Sequence, residues 1–167
     1  CRHPADKDRE WRNQFEQLVE SANNANLIIP QSFLKYIRSD LWLRLRFSRG
    51  GYYGWPDRIE LSPKGTEQYL LLFLRDSQDC LLWYLCIDKL SGDHSVVVSW
   101  DFFGCDIDSE PQFPEEPDNI FFCATSFEEF VYRIWIENEI WLALKKESKP
   151  LTIAQKAYVE HYATEAR

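Results

Sequence analysis

The stretch that decides the fold is Gln68–Trp100, "QYLLLFLRDSQDCLLWYLCIDKLSGDHSVVVSW". Its first two runs, "QYLLLFLR" and "CLLWYLCID", are apolar at both alternating sets of positions, the pattern of strands covered on both faces. The third, "SVVVSW", sets Val96, Val98 and Trp100 against Ser95, Val97 and Ser99, the period-two pattern of a strand. Between them lie two polar breaks of hairpin length, Asp76–Asp79 and Lys89–Asp93, the second containing Gly92. Extended runs joined by such short breaks predict an antiparallel meander.

The same stretch brings Cys80 and Cys86 close to His94 in sequence, the residue types of a thiol–imidazole centre. Along a strand, however, six residues span roughly 20 Å, beyond the reach of a disulfide or a shared metal. Both cysteines stand among Leu, Trp, Tyr and Ile, which predicts core packing and not the electropositive setting of a nucleophile. The chain's five cysteines form no CxxC pair, and its three histidines complete no zinc spacing. The sequence therefore offers no catalytic residue, no metal ligand set and no cofactor motif.

Working outward, Trp11, Phe15, Leu18 and Val19 recur at helical spacing and predict a helix over Asp8–Ala22, preceded by a loose, polar segment 1–7. Pro30 then opens a short helix, Gln31–Ile37, with Phe33, Leu34 and Ile37 on one side. In "DLWLRLRFSRGG" the apolar residues Leu41, Leu43, Leu45 and Phe47 alternate with polar neighbours, as in a strand, and a helix over Asp40–Leu45 fits nearly as well. Gly50, Gly51, Gly54 and Pro56 mark an aromatic-rich loop after it. Downstream, "IFFCA" (120–124) is a fourth strand candidate. Two capping boxes, Ser126–Glu129 and Thr152–Gln155, open a helix reaching Lys146 and a terminal helix with Ile153, Ala157 and Tyr158 inward. In the first of these helices Phe127, Phe130, Val131, Ile134, Trp135, Trp141 and Leu142 form a broad apolar stripe, with Asn138 inside it. Ile136, Ile140 and Leu144 lie nearly opposite, a second face for the terminal helix to cover. The predicted class is α+β: an antiparallel meander of about four to six strands packed by N-terminal and C-terminal helices, in a single domain over 1–167.

Four segments resemble the SUKH superfamily, the Smi/Knr cell-wall-regulator homology domain, in a bacterial and cyanobacterial version. They are Ile29–Ile37 ("IPQSFLKYI"), Phe73–Leu85 ("FLRDSQDCLLWYL"), Gly92–Ser99 ("GDHSVVVS") and Ile120–Phe130 ("IFFCATSFEEF"); "LTIAQKAYVEHY" near the end fits the same group. The resemblance covers roughly Ile29–Tyr162 and matches only loosely over 38–58. It implies a compact α+β domain that binds proteins and has no shared active site. Bacterial members are commonly immunity proteins that neutralise a toxin, often a nuclease; the eukaryotic relatives are regulators. The expectation is thus a cytoplasmic, non-enzymatic immunity protein, monomeric or weakly dimeric, with a regulatory or scaffold protein as the alternative.

Charge points the same way. With 19 basic and 27 acidic residues the net charge is −8, which repels nucleic acid and anionic membrane and suits a basic protein partner. The segment 101–119, "DFFGCDIDSEPQFPEEPDN", carries seven acids, three prolines and no base. A calcium loop starting at Asp106 fails, because Pro111 and Pro117 occupy the positions that require Gly and Glu. The candidate partner-binding residues are Asp101, Asp106, Asp108, Glu110, Glu115, Glu116 and Asp118, which would steer a basic toxin domain, and Phe113, an apolar anchor among them. The only basic stretch, Lys35, Arg38, Arg44, Arg46 and Arg49, is expected to pair internally with those acids.

Overall fold

Three phenylalanines from distant parts of the chain meet at the centre of the molecule in a computed structural model, which describes residues 4–39, 51–53, 60–62, 67–78, 80–103 and 119–165. Helices α1 (Pro4–Asn24) and α2 (Gln31–Arg38) come first, then strands β1 (Gly51–Tyr53), β2 (Glu60–Leu61), β3 (Gln68–Asp76), β4 (Leu82–Asp88), β5 (His94–Ser99) and β6 (Phe121–Ala124). Helix α3 (Phe127–Leu142) follows, extended by a π-helical turn (Ala143–Glu147), and α4 (Ile153–Glu165) completes the series. The class is α+β, with an open antiparallel sheet flanked by helices.

The sheet has the order β1-β3-β4-β5-β6, and the short β2 pairs with β3 on the same side as β1. Both inner hairpins are closed by the last acid of the preceding strand. Asp76 Oδ1 accepts from the N–H groups of Cys80 (2.7 Å) and Leu81 (3.2 Å). Asp88 Oδ1 accepts from Leu90 and Ser91, both at 2.9 Å, and those bonds hold its carboxyl below the ordinary value. Gly92 supplies the turn's positive φ of 75°, a conformation that side-chain-bearing residues rarely adopt.

Helices cover one face of the sheet. Leu71, Phe73, Leu74, Leu85, Ile87, Val96 and Ala124 pack there against Phe15, Leu18, Phe33, Ile37, Phe127 and Phe130. Phe33 of α2, Phe73 of β3 and Phe127 of α3 form a closed triangle with ring centroids 4.9, 5.6 and 5.8 Å apart, all edge-to-face. That geometry sets ring edges against ring faces, as the aromatic quadrupole prefers. Opposite, Leu70, Leu72, Leu82, Tyr84 and Val97 pack with Phe103 and Ile120 in a second, smaller core.

A bulge in β3 explains how one strand serves both cores. Leu72 pairs with Tyr84 and Leu74 with Trp83, so Phe73 is an extra residue. Phe73 and Leu74 therefore both reach the helix-side core, and every later side chain changes face. Arg75, which strict alternation would drive beneath the helices, instead lies with its guanidinium carbon 4.5 Å from the Phe102 ring.

The helix termini obey local rules with one variation. Ser126 Oγ accepts from Glu129 N–H at 3.1 Å, but the Glu129 carboxylate reaches one residue further back, to the N–H and hydroxyl of Thr125. At α4 the box is reciprocal between Thr152 and Gln155. Past the π-helical turn, Ser148 is left-handed and Lys149 N–H returns to Ala143 O, which ends the helix. The α1–α2 pair is clamped by Arg38, whose Nε and Nη2 donate to the two oxygens of Glu16 at 3.0 and 2.8 Å. This two-pronged bond lowers the Glu16 carboxyl and raises Arg38.

Several expectations change. Residues 4–7 are helical, since Pro4 stands at a helix start where it needs no N–H donor. Gly51–Tyr53, expected in a loop, is β1, stabilised by pairing with β3. Arg38 pairs with Glu16 on the neighbouring helix. The alternation at 41–48, with Arg44 and Arg46, and Arg49 lie outside the described residues. Trp135 is half exposed although it shares the predicted stripe, whereas Phe127, Phe130, Val131 and Ile134 pack into the helix-side core. Ile136 and Asn138 are buried, while Leu144 is exposed.

In α4, Ile153 is 89% exposed and Ala157 is exposed as well, so of the three residues expected inward only Tyr158 turns toward α3. Its hydroxyl donates to Glu137 at 2.6 Å, its ring lies 6.5 Å from Tyr132, and Tyr162 sits 5.1 Å from the Arg133 guanidinium. Burial and the adjacent Glu137 carboxylate push the Tyr158 hydroxyl pKa up. Polar and ring contacts seat this helix, which explains why apolar periodicity misplaced its inner face.

Two predictions follow from this packing. Phe127→Ala should cost about 3–5 kcal/mol, seen as a lower urea midpoint at unchanged slope, whereas Phe122→Ala at the exposed edge should stay within about 0.5 kcal/mol. Because its folded carboxyl is depressed, Glu16 contributes stability that is present above its unfolded value and lost as pH falls through the folded one. Glu16→Gln should thus destabilise by less than about 1 kcal/mol near neutrality, the difference closing in acid, as acid titration of folding would read.

Candidate functional site

Of the eight candidate residues, Asp101 is described; Asp106, Asp108, Glu110, Phe113, Glu115, Glu116 and Asp118 lie outside the described residues. Asp101 is committed to structure. Its backbone N–H donates to Ser99 Oγ (3.0 Å), its carbonyl accepts from the Tyr84 hydroxyl (2.8 Å), and its carboxylate accepts from Asn119 Nδ2 (2.8 Å). The last bond joins the two ends of the acidic segment. Asp101 therefore clamps its base.

Tyr84 anchors this base to the sheet. Its ring is fully buried on the face opposite the helices, 5.6 Å from Phe103, and its hydroxyl both donates to Asp101 O and accepts from Phe103 N–H at 3.1 Å. A buried tyrosine hydroxyl needs such partners, and here they are the first backbone groups of the connection leaving β5. The acidic segment thus starts and finishes at the sheet, against the second core.

Beside this base lie exposed aromatics that the sequence reading missed, spread over both faces of the sheet. Trp100 is 51% exposed and Phe122 67%, with Phe102 and Phe121 also exposed. Trp100 and Phe121 sit with ring centroids 5.1 Å apart. Their positions follow from register: Phe121 pairs with Val98 and Phe122 with Val97, so adjacent phenylalanines project to opposite faces of the last strand. The sign in the sequence was the pair itself, since two adjacent aromatics in a strand cannot share one core. Nothing local identified that strand as the edge.

The thiol candidates separate. Cys80 is exposed in the β3–β4 turn and its thiol lies 3.7 Å from Gln78 O, which corrects its predicted place in the core: β4 begins only at Leu82, because Asp76 holds the Cys80 and Leu81 amides in the turn. Cys86 packs against the second core. Cys123 is raised by burial, with Arg133 opposing, and its thiol therefore stays protonated. His94 points elsewhere: its Nε2 accepts from Phe127 N–H at 3.5 Å and lies 4.0 Å from Glu128, at the start of α3. Among the described residues no group of three His, Cys, Asp or Glu is placed to hold a metal, and no helix is long and apolar enough to cross a membrane.

What the arrangement can do is present a surface. Phe121 and Phe122 are held on β6 and Trp100 stands just past β5, beside the Asp101–Asn119 clamp. Removing the anchor should show how rigidly the base is held. Tyr84→Phe should cost about 1–3 kcal/mol and speed hydrogen exchange at the Phe103 amide selectively, measurable by urea titration and exchange NMR. Comparison with protein-family models, curated proteins and solved structures finds no match for this chain.

Proposed function

We propose that this chain is a cytoplasmic, non-enzymatic binding protein that captures a basic protein domain, and that the domain is a toxin which it neutralises. The observation that carries this reading is the exposed Trp100–Phe121 ring pair, set beside the Asp101–Asn119 clamp where the acidic segment leaves and rejoins the sheet. Aromatic side chains supply large contact area at small entropic cost, and acids around them raise the rate of encounter with a basic partner. A nuclease domain presents such a basic surface, because it must hold phosphates. The sequence resemblance to SUKH proteins supports the same role.

Affinity capture from the native host, followed by rescue of growth when the captured protein is expressed as a toxin, tests the proposal. A basic toxin whose lethality is relieved by this chain is the expected outcome. Capture of a partner that is not toxic moves the chain to the regulatory class. With the toxin in hand, combining Glu115→Gln, Glu116→Gln and Asp118→Asn should slow association about tenfold at low salt and flatten its salt dependence. An unchanged rate would remove these acids from the mechanism.

A further inference from the structure

The last strand of the sheet, the four-residue β6, has an outer edge that no described strand pairs. Strands β1 and β2 protect the outer side of β3, whereas β6 pairs with β5 alone among the described residues. An uncovered strand presents unpaired backbone donors and acceptors, a template for a further strand, and natural proteins blunt such edges with charge, proline, bulges or a covering element. In β6 those devices gather at one end. The register shifts at Cys123, and Cys123 O accepts from Arg133 Nη1 at 2.7 Å. The other end, Phe121–Phe122, carries two exposed aromatics, no charge and no proline.

We infer that β6 accepts an additional strand from a basic, extended segment of a partner protein, Phe121 and Phe122 gripping it from opposite faces. This rests on the protein-binding reading above and names how the partner is held. The choice of occupant follows from charge. The chain between Trp100 and β6 carries seven acids and no base, and Asp118 stands three residues before Phe121. The chain as a whole carries −8, which favours a segment rich in Lys and Arg and disfavours acidic segments. The aromatics add a second preference for the same chemistry: alternate side chains of an added strand fall beside Phe122 on one face and beside Phe121 and Trp100 on the other. Lysine and arginine bind such ring faces through the quadrupole. A second copy of this acidic chain is a poorer occupant, since its own net charge of −8 opposes close pairing. The Tyr132–Trp135 pair on α3 is likewise exposed, but it lies on a helix and offers no backbone edge.

The test uses the full chain with two capped octapeptides, one alternating Lys and Val, the other Glu and Val. Hydrogen exchange should slow at the Phe121–Cys123 amides with the Lys–Val peptide and stay unchanged with the Glu–Val peptide. Phe122→Lys should weaken peptide binding about fivefold or more, through the lost ring contact and added repulsion. Leu90→Lys, a control at an exposed hairpin tip, should leave it unaltered. Urea unfolding checks each variant, and Phe122→Ser replaces Phe122→Lys if the latter does not fold. No slowing at these amides, equal slowing by both peptides, or slowing that depends on protein concentration without peptide would overturn the inference, the last in favour of self-association. If a captured toxin is still neutralised by Phe122→Lys at unchanged affinity, strand addition fails and the binding role stands. If no partner is captured, the binding role fails and the peptide exchange still judges the edge.

Discussion

The structure depends on the contact of Phe33, Phe73 and Phe127. Each ring comes from a different part of the chain: the second helix, the longest strand and the helix that follows the sheet. Neighbours extend the triangle, Tyr36 and Phe130 at 5.3 Å from Phe127 and Phe73 respectively, and Phe15 at 6.2 Å from Phe33. Because the rings meet edge to face, each constrains the tilt of the others, and the helices are held at one orientation on the sheet. The bulge at Phe73 is what lets the central strand contribute both this ring and Leu74 to one side.

The opposite face has a different logic. No helix among the described elements supplies its core; Phe103 and Ile120, at the two ends of the acidic segment, close over Tyr84, Leu72 and Val97. One polar atom organises this cover. By donating to Asp101 and accepting from Phe103, the Tyr84 hydroxyl ties the start of the segment to the sheet, and the Asp101–Asn119 bond ties the start to the finish. Asp101, Asn119 and the Trp100–Phe121 ring pair, distant along the chain, are thereby gathered beside the sheet. The proposed role as a binding protein grows from that gathering.

Much of the local architecture is legible in the residues. The meander, both hairpin breaks and the two capping boxes follow from period, turn chemistry and side-chain hydrogen bonding within a few positions. Where apolar pattern misled, polar side-chain contacts were the cause. Cys80 reads as core because its neighbours are apolar, yet Asp76 holds it in the turn. Ile153 reads as inward because it begins a helix, yet that helix is seated by Tyr158 and Tyr162 against charged residues of α3. The candidate site was half legible: its acids stood out by composition, while Trp100, Phe121 and Phe122 looked like ordinary strand residues.

By itself, the sequence determined the helices, the meander strands with their antiparallel order, and the acidic character of the segment before the last strand. These are properties of neighbouring residues, encoded at periods of two and 3.6 and in turns. Only the tertiary structure decided that Asp101 is a clamp, that Phe73 is the extra residue of a bulge and that β6 pairs with β5 alone among the described residues. Each of these depends on which distant groups meet, and a strand at the border has the same local pattern as one inside the sheet.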